Sequence, residues 1–384
     1  MRRAHQSLSS LILKITPANQ TVPNISILHS AAAIATIVAE NIGRLFISLQ
    51  QIRQVPRMLS EAAPSMPATL TESDIPAHLR DRNITSGYRQ LHQNWRYYFL
   101  SMFQRHNETL NVWTHLVALL IILAKCCDLA KNVDFVNDVH AWPLLILLIS
   151  SLNYTAFSVI AHLLGSKSEF CHFVFYYLDY IGVAQYQYGS AVAHFYYAID
   201  VDMYSFVKGV FMPIAATFSF LSFVGCCLGK YNSLNSCRRK VGHVAPSTLA
   251  YAWDISPVVW RLSSWSVATN DPALIYHFGQ VAFFLNAAAF YTFPIVEKCF
   301  AEGSTFLCQS HPVFHIFLSC TTLCQIHASY LDYTGRRELY LSLHESGDAA
   351  FYAQLYAGSV MAFLLTGAII LRKVNRMLGK HKCM

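Results

Sequence analysis

Eight stretches of this chain stay apolar for about as long as a helix needs to cross a bilayer, and nothing else constrains the fold as tightly. They are residues 110–130, 142–164, 170–199, 207–229, 243–265, 277–296, 311–331 and 349–371. A spanning helix takes about 20 predominantly apolar residues, because hydrocarbon cannot satisfy open backbone N–H and C=O groups. The third and seventh runs are rich in polar residues and score weakly on hydropathy alone, so the alternative count is seven. Composition agrees with a membrane solvent. Hydrophobic residues make up 54% of the 384 and charged ones 13%, against about 25% charged in soluble domains. The expected fold class is an all-α polytopic membrane protein.

The net charge of +7 does not form a nucleic-acid face, because the basic residues cluster between the apolar runs. With the N-terminus inside, the inner flanks hold sixteen Lys and Arg, from Arg80, Arg82, Arg89, Arg96 and Arg105 to the tail residues Arg372, Lys373, Arg376, Lys380 and Lys382. The outer flanks hold six: Lys125, Lys131, Lys208, Arg261, Arg336 and Arg337. That asymmetry predicts a cytoplasmic N-terminus and C-terminus. Sequons at Asn19, Asn24, Asn83 and Asn107 point the other way, but triplets of this kind arise often by chance.

Residues 1–109 read as a cytoplasmic lead, 110–371 as the transmembrane domain and 372–384 as a basic cytoplasmic tail. In the lead, Ile34, Val38, Ile42, Leu45, Leu49 and Ile52 recur every three or four positions among Arg44, Arg53 and Arg57. The pattern predicts an amphipathic helix on the inner leaflet. Residues 60–87, with Pro64, Pro67 and Pro76, are expected to be a linker, and no cleavable signal peptide is evident. Cys126, Cys127, Cys171, Cys226, Cys227, Cys320 and Cys324 lie in or beside apolar runs and read as small packing residues. Cys226 and Cys227 sit close enough to a basic loop for palmitoylation, whereas the terminal HKCM lacks prenylation spacing.

Ionisable residues within spans are costly and mark function by default. His311 and His315 stand four apart, hence on one face of the seventh helix, and Ser158 and His162 do the same on the second. Asp179 lies within the third, and Glu108, Asn111 and His115 occupy successive turns at the start of the first. Because spans alternate in direction, all of these fall in the inner half of the membrane. Three imidazoles without a fourth strong ligand match an open zinc site completed by water. There Asp179 is a candidate to orient that water or serve as general base, and Ser158 to hydrogen-bond a reacting carbonyl or support the ligands from behind. The competing reading is that HxxxH histidines only join packed helices. Glu108, Asn111 and His115 read as ties between helices, and Asp254 and Arg261, two turns apart on the fifth helix, as packing residues. His172, His194 and His327 carry no constellation.

HNETLNVWTH (106–115), SVIAHLL with Ser158 and His162, FYYLDYIGVAQYQYGSAVAHFYY (175–197), LAYAWDISPVV (249–259) and HPVFHIFL (311–318) resemble the progestin and adiponectin receptor family over roughly residues 32–380. The lead GYRQLHQNWRYYFLSMFQRHNETLNVWTH is similar to the progestin-binding branch. The resemblance implies a seven-helix adiponectin-receptor-like core with a cytoplasmic N-terminus, plus an eighth C-terminal transmembrane helix. It implies zinc on His162, His311 and His315, with Asp179 near the zinc water. Two activities follow from it as expectations. The first is a plasma-membrane receptor for progestogen steroids acting through an inhibitory heterotrimeric G protein. The second is a zinc-dependent, ceramidase-like hydrolase of a membrane sphingolipid. The chain departs from the family pattern at Pro312 and Val313 within the HxxxH segment, at Trp260, and at His243.

Overall fold

The computed structural model describes residues 66–81, 84–231, 236–264, 271–299 and 309–381. The amphipathic helix expected around 34–52 lies outside these residues. Among the described residues the structure is helical, with one small hairpin, β1 (Leu70–Thr71) against β2 (Ser86–Tyr88). The helices are α1 (Trp95–Ser101), α2 (Thr109–Leu129), α3 (Trp142–Leu164), α4 (Glu169–Ala193), α5 (Val201–Val207), α6 (Phe211–Tyr231) and α7 (Ser236–Asp254). They continue with α8 (Ser256–Ser263), α9 (Ala273–Thr292), α10 (Ile295–Cys299), α11 (Ser310–Gly335), α12 (Arg337–Leu343) and α13 (Ser346–His381). The architecture is that of an all-α polytopic membrane protein.

The segment expected to be a linker is folded from residue 66 onward. Ile75, Ile84 and Tyr88 form a small core of their own, and Gly87, within β2 where the pairing with β1 shifts register, takes a positive φ of 89°. Arg89 follows, counted above among the inner-flank charges, and it is only 2% exposed. Its guanidinium caps the end of α3, donating to the carbonyls of His162 and Leu163 at 2.6 Å each and to Ser101 and Ser166 at 2.9 Å. A helix C-terminus leaves four carbonyls open and carries negative partial charge, and a buried cation answers both.

The long helices pack neighbour by neighbour, α2 on α3, α3 on α4, α4 on α6 and α6 on α7, while α9 packs on α11 and α11 returns to α2. The eighth long helix, α13, lies against α3, α4 and α6. It turns Phe351, Met361, Leu364, Leu365 and Ile369 outward, an apolar face suited to lipid. Its last turns run on through the residues read as a tail. Among the described residues, α2, α3, α6, α9 and α13 are both long and apolar enough to cross a membrane. The helices α4 and α11 fall short because they turn polar groups inward. Gln185 and Ser190 on α4, and Ser319, Thr322, Gln325, Ser329 and Asp332 on α11, are all buried.

The fifth predicted span is broken. Pro257 has no N–H for the carbonyl of Trp253, the Ser256 hydroxyl bonds that carbonyl instead at 2.8 Å, and α7 ends at Asp254 before α8 begins. The third span is also irregular, since α4 passes into one turn of π-helix at His194–Ala198. That turn packs against α8.

Candidate metal centre

Two helix ends, those of α3 and α11, meet at one end of the bundle. The last turn of α3 brings His162, and the first two turns of α11 bring His311 and His315. One ring nitrogen from each lies within 4.8 Å of the other two. His162 and His315 are buried at 2% and 1% exposure, and the His162 ring centroid is 5.3 Å from that of His311 and 5.1 Å from that of His315. Residues 149 positions apart are thus brought together by helices that run in opposite directions, as the alternation of spans predicts.

The neighbours of each ring decide which nitrogen is offered. Nδ1 of His162 donates to Glu108 Oε2 at 2.7 Å, leaving Nε2 as a lone pair, buried and without a partner. Nδ1 of His315 meets the Thr114 hydroxyl at 3.0 Å. That hydroxyl already donates to the carbonyl of Leu110 at 2.7 Å, so it accepts from His315, whose Nε2 is then also a lone pair. It faces Nε2 of His311 at 3.1 Å. Two lone pairs thus converge beside a third imidazole nitrogen. This is the separation expected between ligands of one tetrahedral ion with bonds of about 2.0–2.1 Å. The donor set fits a metal of zinc's preference, and carboxylate and hydroxyl partners behind ligating histidines are the usual way to fix their tautomer.

Glu108 does more than tie helices. Its carboxylate accepts from Asn111 Nδ2 at 2.6 Å and from the Tyr176 hydroxyl at 3.0 Å as well as from His162, so α2, α3 and α4 are all pinned to one side chain behind a candidate ligand. His115 stacks on His315, 3.6 Å between centroids and 12° apart, as one wall of the cluster. Neither role is visible in the spacing of Glu108, Asn111 and His115, because both depend on which helices face α2. Ser158 is buried on α3, one turn before His162. Asp179, half-buried on α4, lies within electrostatic reach of His162 and Lys230. Among the described residues no hydrogen bond joins either of them to the three histidines. Lys230 of α6 sits 4.0 Å over the Tyr176 ring at this same end.

The opposite end holds a second polar cluster. Arg261 and Asp254, read in the sequence as packing residues, lie on opposite sides of the break between α7 and α8. Nη1 of Arg261 donates to both carboxylate oxygens of Asp332 at 2.8 and 2.9 Å, and Nη2 pairs with Asp271. His277 Nε2 reaches Asp332 Oδ2 at 2.7 Å, and Gln280, His194 and Gln325 continue the hydrogen bonds inward. His194, which carries no constellation in the sequence, is the hub where the end of α4 meets α7, α9 and α11.

The haemolysin-III-related family profile matches residues 103–326, which span every residue of both clusters except Asp332. Membrane progestin receptor alpha of Cynoscion nebulosus is 48% identical over 89% of this chain and 98% of its own length. Membrane progestin receptor alpha-B of Danio rerio is 48% identical over 91% and 100%. Membrane progestin receptor beta of Homo sapiens is 42% identical over 81% and 89%. With over half the chain matched by the profile and relatives similar from end to end, the chain belongs to the haemolysin-III-related family, that of the progestin and adiponectin receptors.

Proposed function

We propose that this chain is a plasma-membrane receptor for a progestogen steroid, holding a zinc ion on His162, His311 and His315 within the bundle. The steroid reading is supported by the names of relatives that align over almost their whole length. The zinc reading is carried by one observation, the convergence of the Nε2 lone pairs of His162 and His315 on His311. Glu108 and Thr114 orient the rings, and α2, α3 and α11 exclude water from them. Zinc, when bound, supplies a Lewis acid and a water whose proton is easily lost. The N-terminus lies in the cytoplasm, so the histidines face the inner leaflet, where an inhibitory heterotrimeric G protein couples.

A second activity, hydrolysis of a sphingolipid amide, is favoured by the open character of the site. Three nitrogen ligands leave a fourth position free. In this reading Asp179 accepts a proton and Ser158 hydrogen-bonds the reacting carbonyl. One preparation tests both readings. Purified protein is expected to bind progesterone saturably and to carry about one zinc per chain, with the metal lost in His162→Ala. Ceramide turnover abolished by His315→Ala places the hydrolase beside the receptor, and zinc without turnover leaves the metal a structural role. Absence of metal from the folded wild type removes the zinc reading. Absence of saturable steroid binding removes the receptor reading.

A further inference from the structure

At the histidine end, the short helix α1 packs on α3 and shows two unlike faces. The Asn94 side chain caps it, accepting from the N–H of Tyr97 at 2.9 Å, and its inner face buries Tyr97, Tyr98 and Ser101. The outer face is apolar and open. Trp95, Phe99 and Phe103 follow one another in steps of four, hence on one side of the helix and of the turn that continues it, and they are 45%, 54% and 42% exposed. Ring contacts fix the height of this face. Trp95 meets Phe175 at 6.2 Å and Phe103 meets Trp113 at 5.9 Å, and each partner lies in the second turn of its own long helix, α4 and α2. α1 therefore crosses the bundle at the level where those helices begin. α2 turns Leu110, Leu120 and Leu123 outward, so the aromatic stripe borders a lipid-facing surface at its polar edge, where Trp rings are favoured.

We propose that α1 is a seat for an anionic phospholipid, its aromatic stripe set into the leaflet and the cations Lys167 and Arg96 meeting the phosphate. Charge selects the occupant. No carboxylate lies between residues 82 and 107, and the next one, Glu108, is buried and holds His162. Glu169, in the first turn of α4, answers the dipole of that helix. Arg96 and Arg105 are exposed and make no ion pair among the described residues. Lys167 is fixed beside the stripe. Its backbone carbonyl accepts from the N–H of His92 at 2.9 Å, and its ammonium donates to the carbonyl of Gln93. The same nitrogen sits 5.4 Å over the Trp95 ring and 5.8 Å over that of Tyr98. An ammonium has three N–H groups, so two remain for phosphate oxygens. Aromatic rings on one face with cations at the rim are how an interfacial helix binds anionic lipid. A soluble acidic protein fits less well, because the stripe lies at the height of the lipid-facing side chains of α2.

The leaflet rich in such lipids is the cytoplasmic one, so occupancy in a cell rests on the N-terminus-inside reading above, whereas symmetric nanodiscs test recognition in either orientation. Full-length protein in phosphatidylcholine nanodiscs receives a small fraction of acyl-brominated phosphatidylserine or, separately, of acyl-brominated phosphatidylcholine. Bromine quenches the rings it touches, and the Trp95 signal is the emission of wild type less that of Trp95→Phe. Brominated phosphatidylserine is expected to quench this signal several-fold more than the same content of brominated phosphatidylcholine, with the excess falling as salt is added. Arg96→Gln and Lys167→Gln are each expected to cut the excess several-fold while keeping the quenching by phosphatidylcholine. No quenching of Trp95 by either lipid places the stripe in solvent or against a soluble partner and overturns the proposal. Equal quenching by the two lipids overturns it as well, as does an excess that survives in both variants. Lys167 helps to hold the loop before α1, so if Lys167→Gln does not fold, an unchanged excess in Arg96→Gln alone decides against the proposal.

Discussion

At the scale of single residues, the chemistry at the histidine end rests on Glu108 as much as on the ligands it supports. Its carboxylate fixes the Nδ1–H tautomer of His162 while taking two further donors, Asn111 and Tyr176. Replacing it by glutamine keeps the shape but offers His162 an amide in place of an anion. Glu108→Gln is therefore expected to lower zinc affinity by about 10- to 100-fold, the usual cost of losing a ligand's carboxylate partner. Competition with a chelator of known affinity checks this, and a metal-free melting temperature close to wild type would show that the loss lies at the metal. The three histidines were readable as a group without coordinates, because HxxxH put His311 and His315 on one helical face and alternation put them at the same end as His162. Glu108 and His115 were equally visible as residues but not as neighbours. Nothing in the sequence says that α2 lies between α3 and α11. The burial of Arg89 had no signal, since a basic residue outside a span gives no hint that a helix end will cover it.

At the scale of elements, close packing of α3 on α4 sets the position of His162 and of the inward polar residues. Gly182 and Gly189 are seven apart, two turns of α4, and both face α3. A Cβ at Gly182 would stand 2.8 Å from the Cα of Tyr154, and one at Gly189 would stand 2.2 Å from Ser150 Oγ. Small residues at such spacing let membrane helices approach and gain dispersion contacts that lipid cannot replace. Gly182→Ala meets backbone rather than a mobile side-chain tip, so it is expected to destabilise the fold by about 1–3 kcal/mol. A lowered thermal midpoint with wild-type values for Gly358→Ala, whose Cβ meets nothing within 4 Å, is the matching measurement. The all-α, membrane-crossing character was legible from apolar length, since hydrocarbon imposes that length on any sequence; five of the eight expected runs, α2, α3, α6, α9 and α13, are long and apolar enough as helices to cross. The break in the fifth span was not anticipated, although Ser256-Pro257 was in view. Proline is tolerated in the first turn of a helix, and only the structure shows that Pro257 begins one.

At the scale of the whole molecule, the two ends of the bundle are closed by different chemistry. The histidine end is sealed by the β1–β2 hairpin and Arg89, the other by a lattice of charges and aromatic rings. Arg337 and Tyr333 both donate to Asp138, and Arg336 donates to the carbonyls of Tyr197 and Ile199. His344, between α12 and α13, stacks on Tyr196 at 4.1 Å and 11°. Between the ends runs a file of buried hydrogen bonds, from Asp332 through His277, Gln280, His194 and Gln325 to Tyr186, Thr322 and Tyr154. The Tyr154 ring meets His115 at 5.7 Å. A bundle so filled with polar partners has little tolerance for a charge added where none is matched, and His344 is where acid would add one. Burial pushes its pKa down to about 4, outweighing the carboxylate of Asp348 at 3.6 Å. The unfolded chain binds a proton near pH 6.5 and the folded chain does not, so the folded state is favoured above that pH and loses stability as pH falls from about 6.5 toward 4. Lowering the pH from 7 to 5 is therefore expected to cost the wild type roughly 1–2 kcal/mol through this residue. His344→Phe keeps a flat ring against Tyr196 and has nothing to titrate, so its unfolding midpoint should change less over the same interval. Equal acid sensitivity in the two proteins would place the vulnerable group elsewhere than at the closure between α12 and α13.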